Sequence, residues 1–356
     1  MRKYLLLLLT LMLALACTAA AEDEEVSITD VLNNAHPDVV EKTIVQPPTE
    51  EEIAAIEAAS IYEPDGSVLI TLSAGGDVQL GGALYEEELA KYAGDPAFVL
   101  RNIRETLLAD DMTILSLETA PADSAAALAG GGVDAVTLAN DIMQASDETV
   151  RQELRQAFET SGVTCVDAGE IAVREVKGVK IASLSYDCTG GYDKLWDKVP
   201  QDVAAAKAQY PIVIVSFHWG SEGSYTPEGD QVQMGRLAAD AGADLVLGSN
   251  SRRIQPIEYY NGAYICYSLG NFCYAAEDKP SDMSSFIFQT RFRVRDGAVE
   301  NEGFRILPIR ISSRTDRNDF APIQMDKVTA VDSIITTLTE NGRSLPFVVE
   351  AYPLSW

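Results

Sequence analysis

Residues 211–220 read PIVIVSFHWG, an apolar run typical of a buried β-strand that ends on an imidazole, an indole and a glycine. Other apolar segments follow the same plan, and several of them also end in polar side chains; they are 67–76, 112–118, 133–140, 179–187, 243–250 and 263–272. Helical patterns lie between some of these segments, at residues 147–161 and 229–241. Strands that alternate with helices predict an α/β domain whose functional site lies just outside the strand ends.

The C-terminal part has a different pattern. Segments 285–294 and 304–311 alternate apolar and polar residues, as strands of an antiparallel sheet do, and an amphipathic helix is predicted over 326–341. There is no internal repeat and no strong linker after residue 66. We therefore expect one main domain over 67–325, followed by a C-terminal helix and tail over 326–356.

The N-terminal region predicts export. Residues 1–21 (MRKYLLLLLTLMLALACTAAA) combine two cations, a leucine-rich run and small residues, the pattern of a secretory signal peptide. Cleavage after Ala21 and lipidation of Cys17 in an imperfect lipobox are open alternatives. Either one places the mature protein outside the cytoplasmic membrane, secreted or as a membrane lipoprotein of a bacterium. Residues 22–66 carry a net charge of −12 and are expected to form a solvated acidic tether.

The overall charge excludes one class of partner. Lys and Arg total 27 against 54 Asp and Glu, a formal net charge of −27. Such a surface repels nucleic-acid backbones, and membrane contact is expected only through the lipid anchor. The four cysteines after residue 21 show neither a CxxC spacing nor a metal-binding pattern, and we expect them to be small buried hydrophobes; they are Cys165, Cys188, Cys266 and Cys273.

The polar side chains at the strand ends are candidate metal ligands. Asp77, Glu118, Asp141 and His218 are the donors that a divalent cation uses in phosphoryl chemistry, and His218 is also the candidate catalytic residue. Each of them taken alone is more commonly a loop cap or a hydrogen-bonded core residue. Further residues of these strand ends are candidate ligand-binding groups; they are Asn140, Trp219, Asn250, Arg252 and Arg253.

The order of segments resembles the bacterial capsule synthesis CapA (PGA_cap) family, which is similar to the calcineurin-like metallophosphatases. The segments that carry this resemblance are AGGDVQLGG (74–82), DDMTILSLETA (110–120), VDAVTLANDI (133–142), VSFHWGSE (215–222), AGADLVLGSNSRRIQPIE (241–258) and AYICYSLGNFCY (263–274). The resemblance implies a sandwich of two mixed β-sheets flanked by helices. It also implies a role in making or anchoring an anionic extracellular polymer such as poly-γ-glutamate, together with a membrane synthesis complex.

The sequence departs from the family at the site itself. The family's Asn-Asn-His is Asn140-Asp141-Ile142 here, so an isoleucine stands where the resemblance implies a general acid. The His-rich GHHPH segment is replaced by residues 248–252, GSNSR, and the whole chain has only two histidines, His36 and His218. An oxygen-rich remnant would favour Mg²⁺, Mn²⁺ or Ca²⁺, so no cofactor is certain and one such cation is the candidate.

Three interpretations follow. In the first, which we favour, the site is degenerate, Arg252 and Arg253 neutralise the remaining carboxylates, and the protein binds or scaffolds without catalysis; this predicts Arg252 within salt-bridge reach of Asp77, Glu118 or Asp141. In the second, the four remaining donors still hold one metal for slow hydrolysis or transfer. In the third, the protein is a surface module that binds the cell wall.

Overall fold

The computed structural model describes residues 61–356 as an α/β sandwich of two mixed sheets flanked by helices, which confirms the predicted fold class. The first sheet has the order β14-β13-β12-β1-β2-β3-β4, with β11 added beside β1. Its strands are β1 (Val68–Gln79), β2 (Met112–Thr119), β3 (Ala135–Thr137), β4 (Thr164–Val166), β11 (Asn271–Tyr274), β12 (Ser284–Arg295), β13 (Ala298–Arg310) and β14 (Ile323–Gln324).

The second sheet has the order β5-β6-β7-β8-β10-β9. Its strands are β5 (Ile171–Val176), β6 (Val179–Asp187), β7 (Ile212–His218), β8 (Leu245–Ser249), β9 (Ile257–Tyr260) and β10 (Ala263–Cys266). In the first sheet β1, β2, β3 and β4 pair in parallel, each with the next. In the second sheet β6, β7, β8 and β10 do the same. The carboxyl ends of the parallel strands within each sheet therefore lie at one edge of that sheet.

Strand β1 changes partner along its length. Its first half, Val68 to Ala74, pairs antiparallel with β12, whereas Asp77 to Gln79 pair parallel with β11. The strand follows an irregular register between Gly75 and Asp77 at this change. Because β11 replaces β12 as the neighbour there, the end of β1 is flanked by the carboxyl end of β2 and by the start of β11.

Helices cover the outer faces. They are α1 (Gly82–Ala90), α2 (Arg104–Leu107), α3 (Ala125–Gly130), α4 (Asp141–Ala145), α5 (Glu148–Thr160), α6 (Leu195–Lys207), α7 (Gly229–Asp240) and α8 (Val328–Gly342), with 3₁₀ turns at Pro96–Leu100 and Ala122–Ser124. Helix α5 begins where the sequence predicts, since the side chain of Asp147 accepts a hydrogen bond from the Thr149 backbone N–H. Helix α7 begins with a capping box between Glu228 and Gln231.

The main apolar core lies between the sheets. Strand residues such as Leu72, Ile114, Ile214 and Phe288 are fully buried there. Two residues of α8, Ile334 and Leu338, together with Tyr352 of the tail, belong to the same core. The predicted C-terminal helix and tail are thus packed into the sandwich, and burial of this apolar surface stabilises the whole domain.

One strand prediction is wrong. Residues 263–272 are predicted as a single strand, but the chain forms β10 in the second sheet, leaves it after Cys266 and enters the first sheet as β11. The passage between them is bonded on both sides: the Asp77 N–H donates to the Gly270 carbonyl (2.9 Å) and the Leu269 N–H donates to the Gly248 carbonyl (3.3 Å). An apolar run alone does not reveal such a change of sheet.

Several predictions concern residues outside the described range. They are the signal peptide (1–21), which includes Cys17, and residues 22–60 of the tether, which include His36. Residues 61–66, the end of that segment, are described: Tyr62 forms a bridge with Val68, and Asp65 forms ion pairs with Arg293 and Arg295. Within 61–356 no helix has the length and apolarity needed to span a bilayer, and the four cysteines there are free and buried.

Candidate metal centre

Asp77 is fully buried at the end of β1. Its Oδ2 accepts a hydrogen bond from the backbone N–H of Asn250 (3.1 Å), whereas its Oδ1 has no hydrogen-bond partner among the described residues. The preceding residue must be small: a Cβ added to Gly76 would lie 1.8 Å from the Gly270 carbonyl oxygen. The glycine thus allows β1 to approach the passage into β11 closely enough to place Asp77 between the sheets.

Glu118 is fully buried near the carboxyl end of β2. Its Oε2 accepts a hydrogen bond from Nη1 of Arg252 (3.0 Å), and its Oε1 has no partner in the described part of the chain. The ion pair predicted between Arg252 and one of the carboxylates is therefore present, and Glu118 is the carboxylate that forms it.

His218 is the last residue of β7 and is buried. Its Nδ1 lies 3.1 Å from the hydroxyl of Ser249, which itself donates to the Phe217 carbonyl oxygen (3.2 Å). A hydroxyl has one proton, so Ser249 accepts from His218 Nδ1–H, and Nε2 is the ring nitrogen left for a metal. That Nε2 lies 3.4 Å from Oδ1 of Asp141 but forms no hydrogen bond within residues 61–356.

Three of the four predicted metal ligands come together. Ligand atoms of Asp77, Glu118 and His218 all lie within 4.8 Å of one another. Buried polar atoms without partners are rare in folded proteins, and here each of the three side chains contributes one. Two carboxylate oxygens and an imidazole nitrogen this close together fit a single divalent cation.

The fourth predicted ligand, Asp141, lies at the margin. It is the first residue of α4, its side chain is 60% exposed, and it is not part of this three-residue group. Its neighbour Asn140 is the N-cap of α4: Oδ1 accepts from the Met143 N–H (2.8 Å) and Nδ2 donates to the Leu117 carbonyl (2.9 Å). One bond at each end of this amide fixes the start of α4, and a ligand-binding role for Asn140 stays a prediction.

The loop after β8 directs Arg252 into the site. Asn250 and Arg252 both have left-handed backbone conformations, with φ of 84° and 55°. The Asn250 side-chain Nδ2 donates to the Trp219 and Gly220 carbonyls (3.3 and 2.7 Å), and its backbone N–H donates to Asp77; a ligand-binding role for Asn250 stays a prediction. Arg252 itself extends inward, with its side chain only 14% exposed.

Arg252 joins the inside of the site to its rim. Beside the contact with Glu118, its Nε donates to Oε1 of Glu222 (3.0 Å), and its guanidinium lies over the Tyr274 ring, 5.0 Å from the centroid. Its Nη1 also donates to Gln79 (3.4 Å). Arg252 is thus held by an inner carboxylate, an outer carboxylate and an aromatic face.

Two of the sequence predictions fail here. Arg253 does not neutralise the buried carboxylates; its guanidinium donates to Ser281 Oγ (2.7 Å) and lies 5.8 Å from the Tyr225 ring centroid. Trp219 does not line an open groove; it is fully buried, stacks on Phe217 and donates through Nε1 to the Tyr267 carbonyl (2.8 Å). The apolar ring is more stable in the core, where its single N–H is also satisfied.

Sequence reasoning missed Asn271. This residue lies opposite Asp77 in the pairing of β1 with β11, and its buried Oδ1 also lacks a partner among the described side chains. It belongs to the YSLGNF segment, where it reads as part of a continuing strand. The signal that could have identified it is the polar amide placed directly after a glycine inside an otherwise apolar run.

The electrostatics reflect the crowding of two carboxylates. Burial raises the pKa of Glu118 to about 8, and the charge of Asp77 acts in the same direction, against the influence of Arg252. Burial likewise raises the pKa of Asp77, although the charges of His218 and Arg252 oppose the rise. Burial alone would lower the pKa of Arg252, but Glu118 and then Asp77 outweigh it and the net pKa is raised. A positive charge at this position therefore stabilises the folded state.

The fold and the site define a two-sheet α/β protein with a carboxylate–imidazole cluster between the carboxyl ends of strands from both sheets. The family model described as bacterial capsule synthesis protein PGA_cap matches residues 71–275. This match covers more than half of the chain and contains all three clustered residues, and the chain belongs to this family.

Relatives of known role match over part of their length. The PGA biosynthesis protein CapA of Bacillus subtilis (strain 168) is 31% identical over 204 residues, which is 51% of this chain and 49% of the relative. The capsule biosynthesis protein CapA of Bacillus anthracis is 25% identical over 179 residues, 44% of each chain. The chain thus spans about half the length of the curated relatives it matches.

Among solved structures, the calcineurin-like phosphoesterase YfkN from Bacillus subtilis superposes with a TM-score of 0.41 and 10% identity, covering 77% of this chain and 99% of that one. The fold assignment rests on the strand order of the two sheets given above.

Proposed function

We propose that this protein acts outside the cytoplasmic membrane in the making, anchoring or handling of an anionic capsule polymer of the poly-γ-glutamate type, through a degenerate metallophosphatase-like site. The observation that carries this proposal is the ion pair between Arg252 and Glu118, which places a fixed cation among the carboxylates of the site. The family to which the chain belongs is described by capsule synthesis. The names of the relatives, PGA biosynthesis protein and capsule biosynthesis protein, support the polymer assignment.

The side chains of the site support a binding role over hydrolysis. Ile142 cannot protonate a leaving group, and general acid catalysis is worth roughly 10²- to 10⁴-fold in rate. Arg252 supplies the positive charge that buried carboxylates require, without a metal. Partners in this role are the polymer itself or the membrane complex that synthesises it.

A second candidate function is that of a metal-dependent phosphoesterase-like hydrolase or transferase with one cation. The unpartnered atoms of Asp77, Glu118 and His218 favour it, because three such donors within 4.8 Å of one another are the minimum of a metal site. In this reading Asp77 and Glu118 hold the cation with His218, and the cation would act as a Lewis acid on a phosphoryl oxygen.

Export is part of the first proposal. Its support is the pattern of residues 1–21, with secretion and lipid anchoring at Cys17 as the two routes. Labelled palmitate incorporated into the wild-type chain, and lost in Cys17→Ala, is the result expected for the anchored form. Protein recovered only from the cytoplasm would contradict both routes.

The polymer role is tested in the source bacterium. Deleting the gene is expected to lower cell-associated polymer, measured as glutamate released by hydrolysis of the washed surface fraction, and the wild-type gene should restore it. His218→Gln removes the one nitrogen donor and should restore the polymer equally if the site is degenerate. Failure of His218→Gln at normal protein level, or stoichiometric Mn²⁺ or Zn²⁺ in the purified protein that Asp77→Ala abolishes, would favour the metal-dependent enzyme.

A further inference from the structure

We propose that the centre is a latent divalent-cation site that Arg252 keeps closed, with Glu222 as the latch that holds Arg252 in place. The inference rests on the degenerate site proposed above and adds to it that the guanidinium and an external cation are alternative occupants of the same cluster. Arg252 then determines what this site binds.

The first step is that donors remain unused while Arg252 is bound. Its contact with Glu118 engages Oε2 only, so Oε1 stays without a partner, as do Asp77 Oδ1 and His218 Nε2. The guanidinium therefore offsets one carboxylate charge and leaves these three atoms unpaired. Leaving buried polar atoms unpaired is costly, and a cation at their common centre would relieve that cost.

The second step is mutual exclusion. Arg252 Nη1 lies 3.0 Å from Glu118, and the ligand atoms of the cluster lie within 4.8 Å of one another. A divalent cation bound to Glu118 would lie within a few ångströms of the guanidinium, where like charges repel strongly in a site of low dielectric. Cation binding thus requires Arg252 to leave.

The third step concerns how the Arg252 side chain leaves the site. Glu222 is 62% exposed, so its bond to Arg252 Nε lies on the solvent side of the site, and Arg252 can swing outward. The Tyr274 ring under the guanidinium adds to the hold on the closed position. A ligand gains access in proportion to the population of the open state, so weakening this hold raises the apparent affinity.

The donors indicate the class of cation. Two carboxylate oxygens and one imidazole nitrogen are a mostly hard set that suits Mn²⁺, Mg²⁺ or Ca²⁺. Mn²⁺ is the practical probe because it accepts both oxygen and nitrogen ligands and is detected by electron paramagnetic resonance.

The test is Mn²⁺ titration of the purified full chain after chelator treatment, by calorimetry and by electron paramagnetic resonance. Arg252→Gln is expected to bind one Mn²⁺ at least tenfold more tightly than the wild type, and adding Asp77→Asn to it should remove the gain. Arg253→Gln is the matched control: the Arg253 guanidinium contacts Ser281, Tyr225 and the Arg252 backbone carbonyl but none of the clustered side chains, so the affinity of this variant should equal that of the wild type.

Glu222→Gln is a second variant that keeps the proposal testable if Arg252→Gln does not fold, because it weakens only the exposed ion pair of Arg252. It is expected to tighten Mn²⁺ binding about threefold or more. Unchanged affinity in both variants, with thermal unfolding like that of the wild type, would overturn the latch. If neither the wild type nor the variants bind Mn²⁺, the latent site is wrong while the degenerate function stands. Tight binding by the wild type itself, unchanged in Arg252→Gln, would refute both.

Discussion

Asp77 and Asn271 face each other across the parallel pairing of β1 and β11, and each keeps a buried side-chain oxygen that has no hydrogen-bond partner among the described residues. A protein interior tolerates few such atoms unless they serve something other than the fold. The unpaired oxygens of Asp77 and Asn271 thus indicate side chains that serve a ligand and contribute little to the stability of the fold.

Asn271 provides a direct test of this separation. Asn271→Leu is expected to change the free energy of unfolding by less than about 1 kcal/mol, because an unpaired amide oxygen is replaced by a side chain of similar shape. The matched residue is Asn318, also buried, whose amide donates to the Tyr274 carbonyl and accepts from the Phe320 N–H. Asn318→Leu should cost about 2 kcal/mol or more in urea unfolding. Equal costs at the two positions would mean that Asn271 is structural.

Gly76 is expected to be irreplaceable. Gly76→Ala places a Cβ 1.8 Å from a backbone carbonyl that cannot give way locally, and we expect a loss of about 3 kcal/mol or more in stability. At Gly190 an added Cβ meets nothing within 4 Å, so Gly190→Ala should lie within about 0.5 kcal/mol of the wild type. Thermal unfolding of both variants measures the difference, and a stable Gly76→Ala would contradict the close approach of β1 to Gly270.

Glu258 forms a buried ion pair with Arg236 of α7 and also accepts from the Phe347 backbone N–H of the C-terminal segment (3.2 Å). The Arg236 guanidinium donates twice to it (2.7 and 3.0 Å), and the Tyr267 hydroxyl donates as well (2.7 Å). Glu258→Gln should lower the free energy of unfolding by about 3 kcal/mol, since breaking a buried pair leaves the remaining charge uncompensated. Glu340→Gln, at an exposed pair with Arg343, should cost less than about 0.5 kcal/mol. Comparable losses in denaturant unfolding would show that burial does not set the value of the Glu258 pair.

The buried carboxyl group of Asp110 makes the stability of the folded protein depend on pH. Burial raises the pKa of Asp110 from 3.8 to about 7, and the nearby charges of Asp134 and Asp111 act in the same direction, while its bonds to Ser73 and Thr113 oppose the rise. A carboxyl with a raised pKa favours the folded state while protonated, so its contribution is present below pH 4 and is lost as the pH rises through about 7. Asp110→Asn should remove that loss and exceed the wild type by about 2 kcal/mol at pH 8. A constant difference between the two proteins from pH 4 to 8 would refute this assignment.

The sequence predicts much of the framework because its signals are local. The apolar run before His218 identifies β7, and Asp147 identifies the start of α5, since a side chain that caps a helix acts within a few residues of its own position. The membership of strands in sheets is not local. Residues 263–272 read as one strand, yet the backbone between Cys266 and Asn271 crosses from one sheet to the other and is held there by bonds to Asp77 and Gly248.

The site shows the same division between local and long-range signals. Asp77, Glu118 and His218 could be predicted because each one follows or ends an apolar strand. The opposite fates of Arg252 and Arg253 could not be predicted, because the left-handed backbone at Arg252, with φ of 55°, accompanies an inward course while Arg253 turns to Ser281. A one-dimensional pattern assigns both arginines the same role.

The passage from Cys266 to Asn271 has a consequence for how this protein could change its chemistry. Its backbone is bonded to the ends of β1 and β8, so the spacing between the carboxylates of one sheet and the imidazole of the other depends on peptide groups that side-chain substitutions do not remove. Substitutions can therefore exchange the side chains of the cluster while the spacing between the ends of the two sheets is kept.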